Sequence, residues 1–119
     1  MYTTRSINFY VLRYAPGRLD TGALNIGVLA IEPDGNQFAD VKFVSNWSKV
    51  VALDPDADVE LLDALSREIQ TLWRDPENRA TLLRMMADSW SNMIQLSPPK
   101  SCVTEDPKRE MERLASAYL

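Results

Sequence analysis

Apolar residues change their spacing halfway along the chain. From Ile7 to Tyr14 they follow a two-residue period on both sides. Ile7, Phe9, Val11 and Arg13 share one face, and Tyr10, Leu12 and Tyr14 the other. A strand that is apolar on both faces is a central strand. Pro16-Gly17 ends it and opens a polar loop through Gly22. Leu24–Ile31 repeats the doubly apolar pattern, and Glu32-Pro33-Asp34-Gly35-Asn36 supplies a turn. Gln37–Val44 then alternates, with Ala39, Val41 and Phe43 on one side and Asp40 and Lys42 on the other. That pattern predicts a strand with one wet face.

Beyond residue 45 the period becomes helical. Ser45–Leu53 has room for one short turn, and the aspartates 54, 56 and 58 offer N-caps. Leu62, Leu65, Ile69 and Leu72, joined by Leu61 and Trp73, form an apolar stripe. Asp75-Pro76 predicts another helix start, with a stripe of Ala80, Leu83, Met86, Ala87 and Trp90, widened by Leu82 and Met85. Asn92–Leu96 reads as a short strand stopped by Ser97-Pro98-Pro99. Asp106-Pro107 starts the last helix, with Met111, Leu114, Ala115 and Tyr118 facing inward.

The predicted order is β-β-β-α-α-β-α. It specifies an α+β fold with a small antiparallel sheet and helices packed on one face, in a single domain over residues 1–119.

Composition narrows the chemistry. The chain has 119 residues, 45% hydrophobic and 25% charged, which suits a globular domain with its own core. It has no histidine and one cysteine, Cys102. Triad catalysis in its usual forms, a structural zinc site and an internal disulfide are therefore excluded. The unpaired cysteine, and the lack of a signal peptide or membrane span, predict a cytoplasmic protein. A net charge of -4 makes the chain a poor fit for nucleic acid.

Several stretches together resemble a known family. They are Tyr10-Val11-Leu12-Arg13-Tyr14, Asn25-Ile26-Gly27-Val28, Leu53-Asp54-Pro55-Asp56, Ile94-Gln95-Leu96-Ser97-Pro98-Pro99 and Glu105-Asp106-Pro107. Their order and spacing resemble the bacterial domain-of-unknown-function family 3037 over nearly the whole chain. Leu96 departs from the threonine more usual in that family. The family has no established activity, so the resemblance assigns no reaction, and no cofactor is expected. It does imply a neighbourhood of HipA-like kinases, and so a toxin-partner or regulatory role.

Five residues stand out as candidates for binding a ligand or partner. Asn25 is a polar residue in an apolar strand, and Gly27 beside it either admits a ligand or makes a bulge or packing contact. Arg13 at the end of the first strand is expected to be partly buried and to need an anionic partner, internal or external. Trp47 either anchors a partner or covers the end of the sheet. Ser97, in the Ser-Pro-Pro stretch, completes the set, and its convergence with Arg13 and Asn25 would define a site for an anionic ligand.

Other motifs have simpler readings. Pro33-Asp34 with Asp40-Val41-Lys42 matches part of a metal-dependent nuclease pattern, the alternative enzymatic reading, but each residue also suits its turn or strand. Aspartates 54, 56 and 58 fail as a calcium loop, because Val59 and Leu65 occupy the positions that need Gly and Glu. Arg67, Arg74, Arg79 and Arg84 are interleaved with acids, as on a solvated surface. Lys100 is placed to lower the pKa of Cys102, though no base accompanies them. The chain therefore reads as a non-enzymatic interaction or regulatory domain. Its expected partner is a protein, and an unprotected sheet edge would allow a homodimer.

Overall fold

The computed structural model describes residues 4–15, 23–33, 38–87 and 94–119. In chain order the elements are β1 (Arg5–Tyr14), β2 (Leu24–Ile31), β3 (Ala39–Phe43), α1 (Ser48–Leu53), α2 (Val59–Arg74), α3 (Arg79–Ala87), β4 (Ile94–Leu96), β5 (Lys100–Thr104) and α4 (Pro107–Tyr118). The α+β fold and its antiparallel sheet are those the pattern predicts. The strands lie in the order β3-β2-β1-β4, and β5 pairs with β1 as well.

The fifth strand is absent from the predicted order. Lys100-Ser101-Cys102-Val103-Thr104 carries little apolar signal. It forms because β1 is ten residues long and β4 reaches only Leu12–Tyr14. β5 takes up the rest of that edge, from Arg5 to Phe9. The register shifts by one residue between the two pairings. Ser97 fills the junction, where its amide donates to the Val11 carbonyl at 2.9 Å. Its Oγ accepts the Val11 N–H at 2.8 Å. Pro98 and Pro99 have no N–H to continue the ladder.

Helices cover both faces of the sheet, a correction to the expected one-sided packing. Leu12, Tyr14, Leu29 and Val41 pack with Val50 of α1, Leu62, Ile69 and Trp73 of α2, and Leu82 and Met86 of α3. Ile7, Phe9, Val11, Val28 and Ala30 pack with Met111 and Leu114 of α4 on the opposite face. The physical reason lies in β1 and β2, which are apolar on both sides. With every helix on one face, Ile7, Phe9 and Val11 would lie in water.

Capping places the helices. Asp58 accepts the Leu61 N–H and Asp106 the Arg109 N–H, with Pro107 in the first turn of α4. The Asp75-Pro76 pair makes a turn rather than a helix start. Its carboxylate accepts from Glu77 N and Asn78 Nδ2, and α3 begins at Arg79. The later start changes the buried face. Leu82 and Met86 are buried and Leu83 half-buried, while Ala80 is exposed. Trp90 lies outside the described residues.

Arg79 is buried, contrary to the surface reading. Its guanidinium donates to the Trp73 and Arg74 carbonyls at the end of α2 and lies 6.0 Å from the Trp73 ring centroid. It satisfies helix-end carbonyls that would otherwise lack partners. Arg67 pairs with Asp63 at 2.9 Å. The four arginines thus form no continuous basic face.

Candidate functional site

The site is built on an irregularity in β2. Pairing with β1 runs from Asn8↔Ile31 to Leu12↔Gly27, then shifts so that Arg13 faces Asn25 and Tyr14 faces Leu24. Ile26 is the extra residue of a β-bulge. Strict alternation would place Ile26 on the α4 face and Asn25 on the other. The bulge reverses both. Ile26 enters the core beneath α1 and α2. Asn25 turns toward α4, where its Nδ2 donates to the Tyr118 carbonyl at 3.1 Å.

Gly27 permits this arrangement. A Cβ there would lie 3.0 Å from two ring carbons of Phe43 and 3.3 Å from Leu12 Cδ1. The ring of Phe43 occupies the space a side chain would fill. Val44 then leaves the sheet, its amide donating to the Ile26 carbonyl at 2.9 Å. The chain turns through Ser45–Trp47 into α1. Asn46 Oδ1 stabilises the turn by accepting from the Ser48 amide and hydroxyl.

Two concavities flank this β3–α1 corner and share residues 43–46 and Ser48. One is a cleft of about 340 Å³ at the end of the sheet, walled by Ile26, Phe43, Val50 and the last turn of α4. Lys42 and Lys49 line it, and among the described residues no aspartate or glutamate does. The other is a more open groove of about 570 Å³ between the corner and α2. Trp47, Val51 and Val59 line it, with Asp63, Arg67 and Gln70 alongside.

The five candidate residues divide between the corner and the sheet. Asn25 lines the cleft and Trp47 the groove. Trp47 is half-buried against the larger core, so it closes the sheet end and borders the groove at once. Gly27 acts from beneath, through Phe43. Ser97 is part of the β1 ladder. Arg13 is opposite Asn25 on one side and Gln95 on the other, but it is exposed, not partly buried as expected. Its other ladder neighbour, Gln95, is exposed as well, so this part of the sheet is wet. Arg13, Asn25 and Ser97 do not form one site. Lys49 escaped sequence reasoning, and Lys42 entered it only through the nuclease pattern, because only the fold brings Lys42 of β3 and Lys49 of α1 to one cleft.

Other chemistry-bearing groups are occupied structurally. Tyr14 OH donates to Asp54 Oδ2 at 2.7 Å, and Asp54 Oδ1 accepts the Asp56 amide. Burial, reinforced by that carboxylate, pushes the Tyr14 phenol up to about 12. Cys102 is half-buried, and burial followed by the nearby Glu110 charge raises its thiol, opposite to the lowering expected from Lys100. The Lys100 ammonium instead lies 5.2 Å from the Tyr118 ring centroid. Asp40 Oδ1 accepts the Val41 amide, and Asp34 lies outside the described residues. Among the described residues no three acidic or cysteine side chains cluster to hold a metal ion. Among the same residues, no helix is long and apolar enough to cross a membrane.

Compared with known families, residues 9–119 match one family model, whose description is Protein of unknown function (DUF3037). Neither the curated proteins nor the solved structures contain a match.

Proposed function

Since the chain belongs to this family of unknown function, we propose its role from geometry: it is a non-enzymatic interaction or regulatory domain that takes a partner protein at the β3–α1 corner. The observation that carries the reading is the groove beside Trp47. It has an apolar floor of Trp47, Val51 and Val59, with polar and charged residues alongside. Val51 is 40% exposed although its helix is only six residues long. Aromatic and aliphatic anchors surrounded by polar residues are the usual build of a protein-binding surface. The family resemblance adds the kind of partner, a HipA-like kinase in a bacterial cytoplasm.

The test is affinity capture from the native host with wild type and Val51→Arg. Val51 is exposed, so the substitution adds bulk and charge to the groove without removing core. The expected result is a specific partner held by wild type and lost by V51R, with an unchanged circular dichroism spectrum and melting temperature. Retention of the same partner by V51R overturns the assignment of the surface. Absence of a specific partner, with substrate turnover by the pure protein, overturns the reading altogether. Sedimentation of the pure chain distinguishes a second copy from a foreign partner.

A further inference from the structure

We propose that the cleft between β2, β3, α1 and the last turn of α4 binds a small organic anion, whose carboxylate or phosphate head is held by Lys42 and Lys49 and whose short apolar body lies against Ile26, Phe43 and Val50. The inference does not depend on the partner reading, which uses the groove on the other side of the corner.

Charge is the first argument. The chain has 17 acidic and 13 basic residues, yet among the described residues the side chains that line the cleft include two lysines and no aspartate or glutamate. Neither lysine makes an ion pair; those of the described residues are Arg5–Glu32, Arg67–Asp63 and Arg113–Glu110. Charged side chains of one sign above apolar walls attract the opposite charge. Size is the second argument. A volume of about 340 Å³ lies at the lower end of the roughly 300–1,000 Å³ of small-molecule sites. It suits a ligand of one ring or a short chain. The lining is the third argument. Ile26 and Val50 are buried, Phe43 and Lys42 are half-buried, and Lys49 is exposed. The floor is therefore apolar and the charge sits above it, the arrangement that orients an amphiphilic anion.

The position of the cleft gives binding a consequence. Ile26, Phe43 and Val50 belong to the core beneath α1–α3, whereas Ala115 and Leu119 come from α4 on the opposite face. An occupant touches residues of both helical layers at the β3–α1 end of the sheet. Within the described residues, Asn25 Nδ2 on the Tyr118 carbonyl is the side-chain hydrogen bond that ties β2 to this turn. A bound anion adds a second tie, so it stabilises the docked position of α4.

The experiment is an NMR titration of the full chain labelled with ¹⁵N. The probes are benzoate, phenyl phosphate and the uncharged isostere benzamide. The expected result is saturable shifts confined to residues 24–26, 42–50 and 115–119, with benzamide at least tenfold weaker than the better anion. Comparison of the two anions identifies the head group. Lys42→Met and Lys49→Met keep the aliphatic stems, and each weakens the anion about tenfold, the loss of one charged hydrogen bond. Lys108→Met, on the outer face of α4, leaves affinity unchanged. Equal binding of benzamide, indifference to both cleft variants, or absence of saturable shifts there overturns the proposal. V51R separates the two hypotheses: it retains benzoate or phenyl phosphate if the cleft is the anion site, whatever becomes of the protein partner.

Discussion

A missing side chain decides the shape of the corner. Gly27 is buried in a strand, where glycine weakens both packing and backbone order. Its value is the room it leaves for Phe43, whose ring carbons lie 3.0 Å from the position of a Cβ. Gly27→Ala is expected to cost about 1–3 kcal/mol, as overpacking of a filled core does. Urea denaturation measures the loss. Gly27→Ala combined with Phe43→Leu should recover part of it, because the two residues compete for one space. Loss in the double variant equal to the sum of the singles would show that Phe43 is not the obstruction. The sequence marks Gly27 as anomalous but cannot name its neighbour. Phe43 is sixteen positions away, and only the β2–β3 register sets the two side by side.

Among the elements, the edge of β1 shows the same limit. The doubly apolar pattern of β1 and β2 is legible because both faces are buried. β5 is not, because an edge strand needs only backbone hydrogen bonds, which residue type barely records. The Ser-Pro-Pro stretch reads as a stop signal, whereas it serves as a splice between β4 and β5. Ser97 Oγ takes the Val11 N–H there, and Val11 is fully buried. Ser97→Ala leaves that donor unpaired, and the expected cost is about 1–3 kcal/mol. Ser97→Thr keeps the hydroxyl and should cost less. Hydrogen exchange reads the change locally: the Val11 amide should exchange faster in S97A, with amides of α2 unaffected. Uniform acceleration throughout the chain would instead indicate general destabilisation. The α3 start has a related cause. Asp75-Pro76 fits a helix cap or a turn equally well, and the turn is selected by Asn78 bonding back to Asp75 within it and by Arg79 of α3 reaching the Trp73 carbonyl of α2.

Across the whole molecule, the sheet has a polar fastening at each end, and the two respond to opposite extremes of pH. At one end Arg5 holds Glu32 with two hydrogen bonds of 2.6 and 2.7 Å. At the other, Tyr14 donates to Asp54. Hydrogen bonding from Arg5, helped by its charge, holds the Glu32 carboxyl below its ordinary range. A carboxyl depressed on folding stabilises the native state above its unfolded pKa, about 4.3, and that contribution fades as pH falls through the lower folded value. Tyr14 has the reverse sign. Its phenol is raised to about 12, so its contribution is complete below the unfolded value of about 10 and is lost as pH rises between the two. Chemical denaturation from pH 2.5 to 12 should therefore show a plateau with a fall on either side. Glu32→Gln should flatten the acid limb and leave the alkaline one, and Tyr14→Phe should do the opposite. If E32Q retained the full acid slope, other carboxyls would have to supply it. The corner lies at the Tyr14 end, since Leu24, opposite Tyr14, lines the cleft. The two variants thus perturb opposite ends of one sheet. E32Q should leave binding at the corner intact at neutral pH, and Y14F is the one expected to alter it.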